Sequence, residues 1–189
     1  VTLTTGGWLF LGVMVLVVFA AIGMYNRLVR LRQQARAAWS DIDAQLKRRA
    51  DIVGNLVETV KGYAAHEERT LSEVTRWRSA TTAAHNPAEG SAADTGLTQA
   101  LRSLFAVAEA YPALKADQSF VGLQAELSQL ESDTLGARRY YNAVVRDYNS
   151  AIESFPSSLV ATLGEFRPQS FFALDQPSER RPPRVSFER

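Results

Sequence analysis

The first 26 residues carry no charged side chain, while all 21 Lys and Arg and all 20 Asp and Glu fall in the remainder. Within that segment, Trp8 to Tyr25 reads WLFLGVMVLVVFAAIGMY, without a charge or a strong helix breaker. At ~1.5 Å rise per residue the run is about 27 Å long as a helix, and Gly6, Gly7 and Asn26 can extend it toward the ~30 Å of a hydrocarbon core. Trp8 and Tyr25 mark its two ends, where amphipathic rings favour the headgroup level. Ala21 and Gly23 have the small-residue spacing of a signal cleavage site. The basic n-region of a signal peptide is missing and the apolar run is long, so a permanent anchor is expected. The span holds neither a GxxxG pair nor an ionisable group, which leaves no signature of that helix-dimer type or of an ion path.

Arg27, Arg30, Arg32 and Arg36 follow before the first acid, Asp41. This collar predicts residues 1–7 outside, a span over 8–26 and the remainder in the cytoplasm of a bacterial inner membrane. It also offers attraction to anionic lipid. Beyond it, residues 37–80 are charge-balanced, 81–165 are acidic and 166–189 are basic, so a net charge of +1 conceals a segmented chain. That balance lacks the basic excess of a nucleic-acid binder. With no cysteine, disulfides, thiol catalysis and Cys-ligated metals are excluded.

From Leu28 to Val74 apolar residues recur at steps of three and four, among them Ala35, Ile42, Leu46, Val53 and Val60, which predicts one amphipathic helix ending at Asn86-Pro87. Ala88–Gly96 reads as a small-residue linker. Leu97, Leu101, Leu104, Ala108 and Tyr111 predict a second helix stopped by Pro112. Phe120 through Val144 carries a heptad stripe for a third over about 117–155, with Asp117 as its N-cap and a restart after Pro156. No period-two strand pattern occurs. The expected fold is all-α, a transmembrane helix continuing into a long-helix antiparallel bundle of three to four helices over 27–165, followed by a Phe/Pro/Arg tail over 166–189. A helix over 27–86 would outrun its partners, so either the Gly54/Gly62 region bends, Tyr111-Pro112 is a jog, or partner subunits cover the excess. Phe166, Phe171 and Phe172 are expected to dock on the bundle, with disorder from Pro177.

Catalytic patterns are absent. His66-Glu67-Glu68 lacks the second histidine of HExxH, and no nucleophile elbow, P-loop or dinucleotide glycine motif occurs. Asp41/Asp43 and Glu131/Asp133 stand two apart, on different helix faces. His85 is expected near a helix end, complementing its carbonyl pole. Arg48, Asp51 and Asn55 form a polar ridge beside the apolar stripe, suited to an interhelical cluster or to partner docking. Tyr141-Asn142 recurs one heptad on as Tyr148-Asn149, which predicts polar layers between helices.

The run YNRLVRLRQQARAAWSDIDAQLKRRADIVGNLVETVKGYAAHE closely resembles the opening of the LemA family of bacterial membrane proteins. LFAVAEAYPALKADQSFVGLQAEL, ARRYYNAVVRDYNSAIESFPSSLVA and the pair Phe171-Phe172 continue the likeness in order. It places Arg48, Arg49, Asp51, Asn55, Lys61, His66, Glu67, Arg138, Tyr141, Asn142, Tyr148 and Asn149 among the family's polar positions, with no role assigned. Glycine stands at 54 where the family pattern usually has proline, and Trp77 replaces a usually small residue. The resemblance implies a helical bundle on a single anchor with no established catalytic residues, and a magnetosome-associated member implies membrane organisation. The expectation is a non-enzymatic scaffold without cofactor, metal or small-molecule substrate, with lipid and further copies of itself as partners. The alternative is an adaptor that presents its bundle or tail to a membrane protease or AAA-type partner.

Overall fold

The computed structural model describes residues 5–173; the expectations for the extreme N-terminus and for the end from Pro177 fall outside them. Six helices follow in order: α1 (Thr5–Tyr63), α2 (Glu68–Thr82), α3 (Pro87–Ala108), α4 (Pro112–Lys115), α5 (Gln118–Glu153) and α6 (Ser157–Leu163). Among the described residues there is no strand. The fold is all-α, as the periodicities require.

α1 is unbroken from the apolar segment into the amphipathic one, because nothing between Thr5 and Tyr63 removes a backbone donor. Its N-terminal part is long and apolar enough to cross a membrane, and the most apolar window is bare of protein contact. The helix ends well short of the expected boundary at 86. Gly62 weakens its last turn, Ala64 N–H makes the final bond to Val60 at 2.8 Å, and Glu67 N–H turns back on Ala64 at 3.1 Å. Side chains fix the corner: Tyr63 donates to Asp117 at 2.8 Å and Tyr111 to Glu67 at 3.2 Å. The bend thus falls just past Gly62, and Gly54 stays helical.

The expected linker 88–96 is helix instead. Asn86 caps α3 by accepting from Glu89 N–H at 2.9 Å, Pro87 occupies the first turn, and Glu89 accepts from His85 N–H at 2.9 Å. Asn-Pro is therefore a start signal here rather than only a stop. His85 follows the end of α2 at Thr82 and belongs to the α3 cap, so its expected place on a carbonyl pole is not realised. Gly90, Ser91, Ala93 and Gly96 are buried, and the two glycines make room for tryptophans. A Cβ on Gly90 would lie 2.6 Å from the Trp39 ring, and one on Gly96 would overlap the Trp77 ring. Gly96 leaves the space that the Trp77 ring occupies.

The chain forms two units: the segment up to Ala38 with Tyr141–Ser170, and Trp39–Tyr140 with the residues from Phe171. In the second, α1 (Ile52, Val53, Leu56, Val60), α2 (Leu71, Val74), α3 (Leu97, Leu101, Leu104), α4 (Leu114) and α5 (Phe120, Leu127, Leu130) share one apolar core. Phe105 of α3 meets Phe120 of α5 edge-on at 6.3 Å. Asp117 caps α5 as expected, accepting from Phe120 N–H at 3.0 Å. That bond and the Tyr63 hydroxyl hold its carboxyl below the usual range. In the first unit, Leu28, Tyr148, Ala151, Ile152, Ala161 and Phe166 form a smaller core. There α6 closes with Phe166 N–H on Ala161 O at 2.9 Å and Glu165 N–H on Thr162 O at 3.3 Å, the paired bonds of a Schellman cap.

Candidate functional site

An arginine at a stripe position cannot be buried without an acid to meet it, since an unpaired charge in a low-dielectric interior is prohibitively costly. Arg49 lies at helical spacing between buried Leu46 and Val53, and Arg138 between buried Thr134 and Tyr141. Both are buried, and both donate to Asp94, Arg49 through Nη1 to Oδ1 and Arg138 through Nη2 to Oδ2. Arg49 Nη2 also reaches Thr98 Oγ1 at 3.1 Å and Glu131 Oε2 at 2.9 Å, while Arg138 Nη1 stands 3.9 Å from Glu131 Oε1. Two positive and two negative groups make a neutral network across α1, α3 and α5. Arg49 keeps one buried Nε–H without a hydrogen-bond partner, a residual cost within it.

The segment after the last helix roofs this network. The Arg138 guanidinium lies 5.0 Å from the Phe172 ring centroid, Phe172 meets Trp39 at 6.4 Å, and Ala173 N–H donates to Ser91 Oγ at 3.0 Å. Phe166 and Phe172 dock as expected, whereas Phe171 is 52% exposed and does not.

In the first unit the Tyr-Asn repeat clamps a run of non-helical backbone. Tyr141 donates to Ser170 O at 2.8 Å and Tyr148 to Arg167 O at 3.0 Å. Asn149 exchanges two bonds of 2.9 Å with the Gln169 backbone. These polar groups therefore bind non-helical chain, in place of the helix-to-helix layers that heptad spacing suggests; Asn142 is half-buried beside them. Burial pushes the Tyr141 phenol up to about 12 and raises that of Tyr148, against which Arg32 and Arg36 act.

The other sequence-derived positions are peripheral. Asp51, Asn55, Lys61 and His66 are exposed, and Arg48 makes a surface pair with Glu126 at 3.2 Å. Of that ridge, Arg48 thus reaches α5 at the surface, while Asp51 and Asn55 are exposed beside the stripe. Gly54 instead carries a close contact. The Arg78 guanidinium sits 2.9 Å from where a Cβ would be, and Arg78 Nε donates to Ala50 O at 2.7 Å. In the collar, Arg27, Arg30 and Arg36 are exposed, but Arg32 turns inward over the Phe166 ring at 4.9 Å. Phe166 also meets Tyr25 at 5.5 Å, while Trp8 is exposed.

Asp94 and Glu131, the acids that complete the network, were not expected there. Asp94 lies in a stretch whose composition reads as a linker, and Glu131 stands two residues from Asp133 with no sequence mark of burial. The available signal was the pair of arginines on apolar stripes, which demands buried acids elsewhere. Beside the network a groove of about 690 Å³ opens between α3 and α5, with Leu101, Phe105 and Leu127 as apolar walls and Arg102, Gln124 and Glu131 as polar ones. Among the described residues, no group of three or more His, Asp or Glu is placed to hold a metal ion.

The LemA family model matches residues 38–187. Protein LemA of Metamycoplasma hominis is 30% identical over 147 residues, covering 76% of this chain and 66% of that protein. Magnetosome protein MamQ of Magnetospirillum gryphiswaldense is 26% identical over 174 residues, covering 78% of this chain and 64% of the relative. Magnetosome protein MamQ 2 of Paramagnetospirillum magneticum is 25% identical over the same length. The chain thus spans just under two thirds of the length of each. The matched region takes in the whole buried network, with Arg49, Asp94, Glu131 and Arg138, and the tyrosine clamp on the C-terminal segment. By this match the chain belongs to the LemA family.

Proposed function

We propose that this chain is a non-enzymatic scaffold of the inner membrane, anchored by the N-terminal part of α1 and self-associating through an antiparallel bundle of its long helices. The observation that carries the reading is the continuity of α1. One helix runs from the apolar segment at Thr5 to Tyr63 and carries Arg49, so no loop interrupts the chain between the anchor and the helix that enters the buried network. The charge-free segment before Arg27 and the arginines after it support an N-out orientation with the bundle in the cytoplasm. The neutral, mutually paired network supports a structural role for its charges rather than acid–base work. The magnetosome relatives support a membrane-organising role by likeness alone.

Co-expression of two differently tagged full-length copies, extracted in mild detergent, tests the reading. Capture of one tag is expected to retain the other from the membrane fraction, and recovery of single copies alone contradicts it. The groove between α3 and α5 favours a second reading, an adaptor for a membrane protease or AAA-type partner. Crosslinking in cells separates the two, because an adaptor loses one defined heterologous product when Gln124 in the groove is replaced by a bulky residue, and a scaffold does not.

A further inference from the structure

The stretch from Ser154 to Gly164, SFPSSLVATLG, is the longest run without a charge after the N-terminal segment, bounded by Glu153 and Glu165. It contains α6, a helix with two apolar faces. One face is used within the protein: Ala161 is buried and Val160 packs on the core of Leu28, Tyr148 and Ile152. The other face is bare. Leu159 is 60% exposed and Leu163 87%, one helical turn apart, and Phe155 just before the helix is 82% exposed. Isolated exposed apolar side chains are ordinary, but Leu159 and Leu163 one turn apart on a short uncharged helix, with Phe155 bare in the turn before it, give an exposed apolar stretch.

Its position says what covers it. Leu163, Gly164 and Val160 line an apolar groove of about 350 Å³ together with Ala21, Ile22 and Tyr25 of α1. A Cβ on Gly164 would lie 3.2 Å from the Tyr25 ring, and the Phe166 ring meets Tyr25 edge-on at 5.5 Å. The end of α6 therefore stands level with residues 21–25, inside the charge-free segment and on its N-terminal side of Arg27. With the anchor reading, that level is the acyl boundary of the bilayer, and Arg27 and Arg30, both exposed, occupy the phosphate level next to it.

We propose that α6 is a second membrane-contact element, which lays Phe155, Leu159 and Leu163 into the cytoplasmic acyl boundary beside the span and takes a lipid chain into the groove against Ile22 and Tyr25. The inference rests on the anchor reading and goes beyond it. Two contacts fix the tilt and rotation of α1 at the surface, where one helix alone is free to turn.

The cysteine-free sequence permits a direct test. Single substitutions Leu159→Cys, Leu163→Cys, Leu16→Cys in the span and Ser132→Cys on the exposed surface of α5 are labelled with a fluorophore. The full-length chain is then placed in vesicles of phosphatidylcholine and phosphatidylglycerol. Spin-labelled lipid, with the label near the headgroup end of the acyl chain, is expected to quench the Leu159 and Leu163 probes roughly threefold more than the Ser132 probe, with aqueous iodide showing the reverse order. Iodide quenching at 159 and 163 equal to that at 132 overturns the inference, as does protection from both quenchers, which would mean that a second copy covers α6. The Leu16 probe separates the two levels. If it is shielded from iodide while 159 and 163 are not, only the α6 inference falls; if iodide reaches it, the anchor reading falls as well.

Discussion

Asp94 shows how one carboxylate can set the alignment of three helices. It accepts from Arg49 and Arg138, and all three groups are buried. Removing one member of such a network leaves the others unpaired in low dielectric, so Asp94→Asn is expected to cost about 3–5 kcal/mol in denaturant unfolding. Replacing Arg49, Asp94 and Arg138 together by apolar residues of similar volume is expected to recover most of that loss. A triple variant no more stable than Asp94→Asn would show that the charges contribute net stability. Tyr141 makes a complementary prediction in pH. Its folded phenol is raised from 10 to about 12 by burial, so the neutral form is favoured in the native state. The stabilising contribution is fully present below pH 10 and is lost as pH rises from 10 through 12. The denaturant midpoint is expected to fall across that window, and Tyr141→Phe, weaker at neutral pH for want of its bond to Ser170 O, is expected to fall less. The arginines were legible as polar family positions, and their stripe spacing was there to be read. Asp94 was not, because a single acid among Ala, Ser, Thr and Gly has the composition of a linker, and only its partners reveal that it is buried.

At the scale of elements, periodicity located the helices and misjudged their ends. The stripe of α1 runs on in register into Leu71 and Val74, so apolar spacing alone cannot show the turn at Ala64–Glu67. That turn is set by side-chain bonds to Glu67 and from Tyr63, whose partners lie far along the chain. Small residues at the start of α3 mark close packing rather than flexibility, and Gly96 under Trp77 gives a prediction whose sign reverses. Gly96→Ala is expected to destabilise by about 1–3 kcal/mol through overlap with the indole. In a Trp77→Ala background the same change is expected to stabilise by up to about 1 kcal/mol, the ordinary preference of a helix interior for alanine. Equal effects in both backgrounds would refute the packing account. The cap of α6 offers the opposite case. Glu165 has φ 53°, a left-handed conformation that glycine adopts without steric cost. Glu165→Gly is expected to raise stability by up to about 1 kcal/mol in thermal unfolding, provided the cap bonds of Phe166 and Glu165 persist.

For the whole molecule, the all-helical class and the apolar segment that can span a membrane were legible from periodicity and charge alone. So was the LemA likeness, now supported by a family match over most of the chain. The tyrosine–asparagine clamp was legible as a repeat but not as a clamp, since heptad spacing carries no information about whether the facing partner is a helix or a non-helical segment. The same limit applies to the polar ridge at Arg48, Asp51 and Asn55, whose spacing does not show that Arg48 alone of the three is paired with α5, through Glu126, while Asp51 and Asn55 are exposed. The proposed scaffold works through several copies of the anchored chain held together in the membrane. Mass measurement of the full-length protein, extracted with its surrounding lipid into polymer-bounded discs, is the sharpest check. Particles containing several copies of the 20.9 kDa chain are expected. A uniform population holding a single copy, at the membrane density found in the cell, would contradict the scaffold reading.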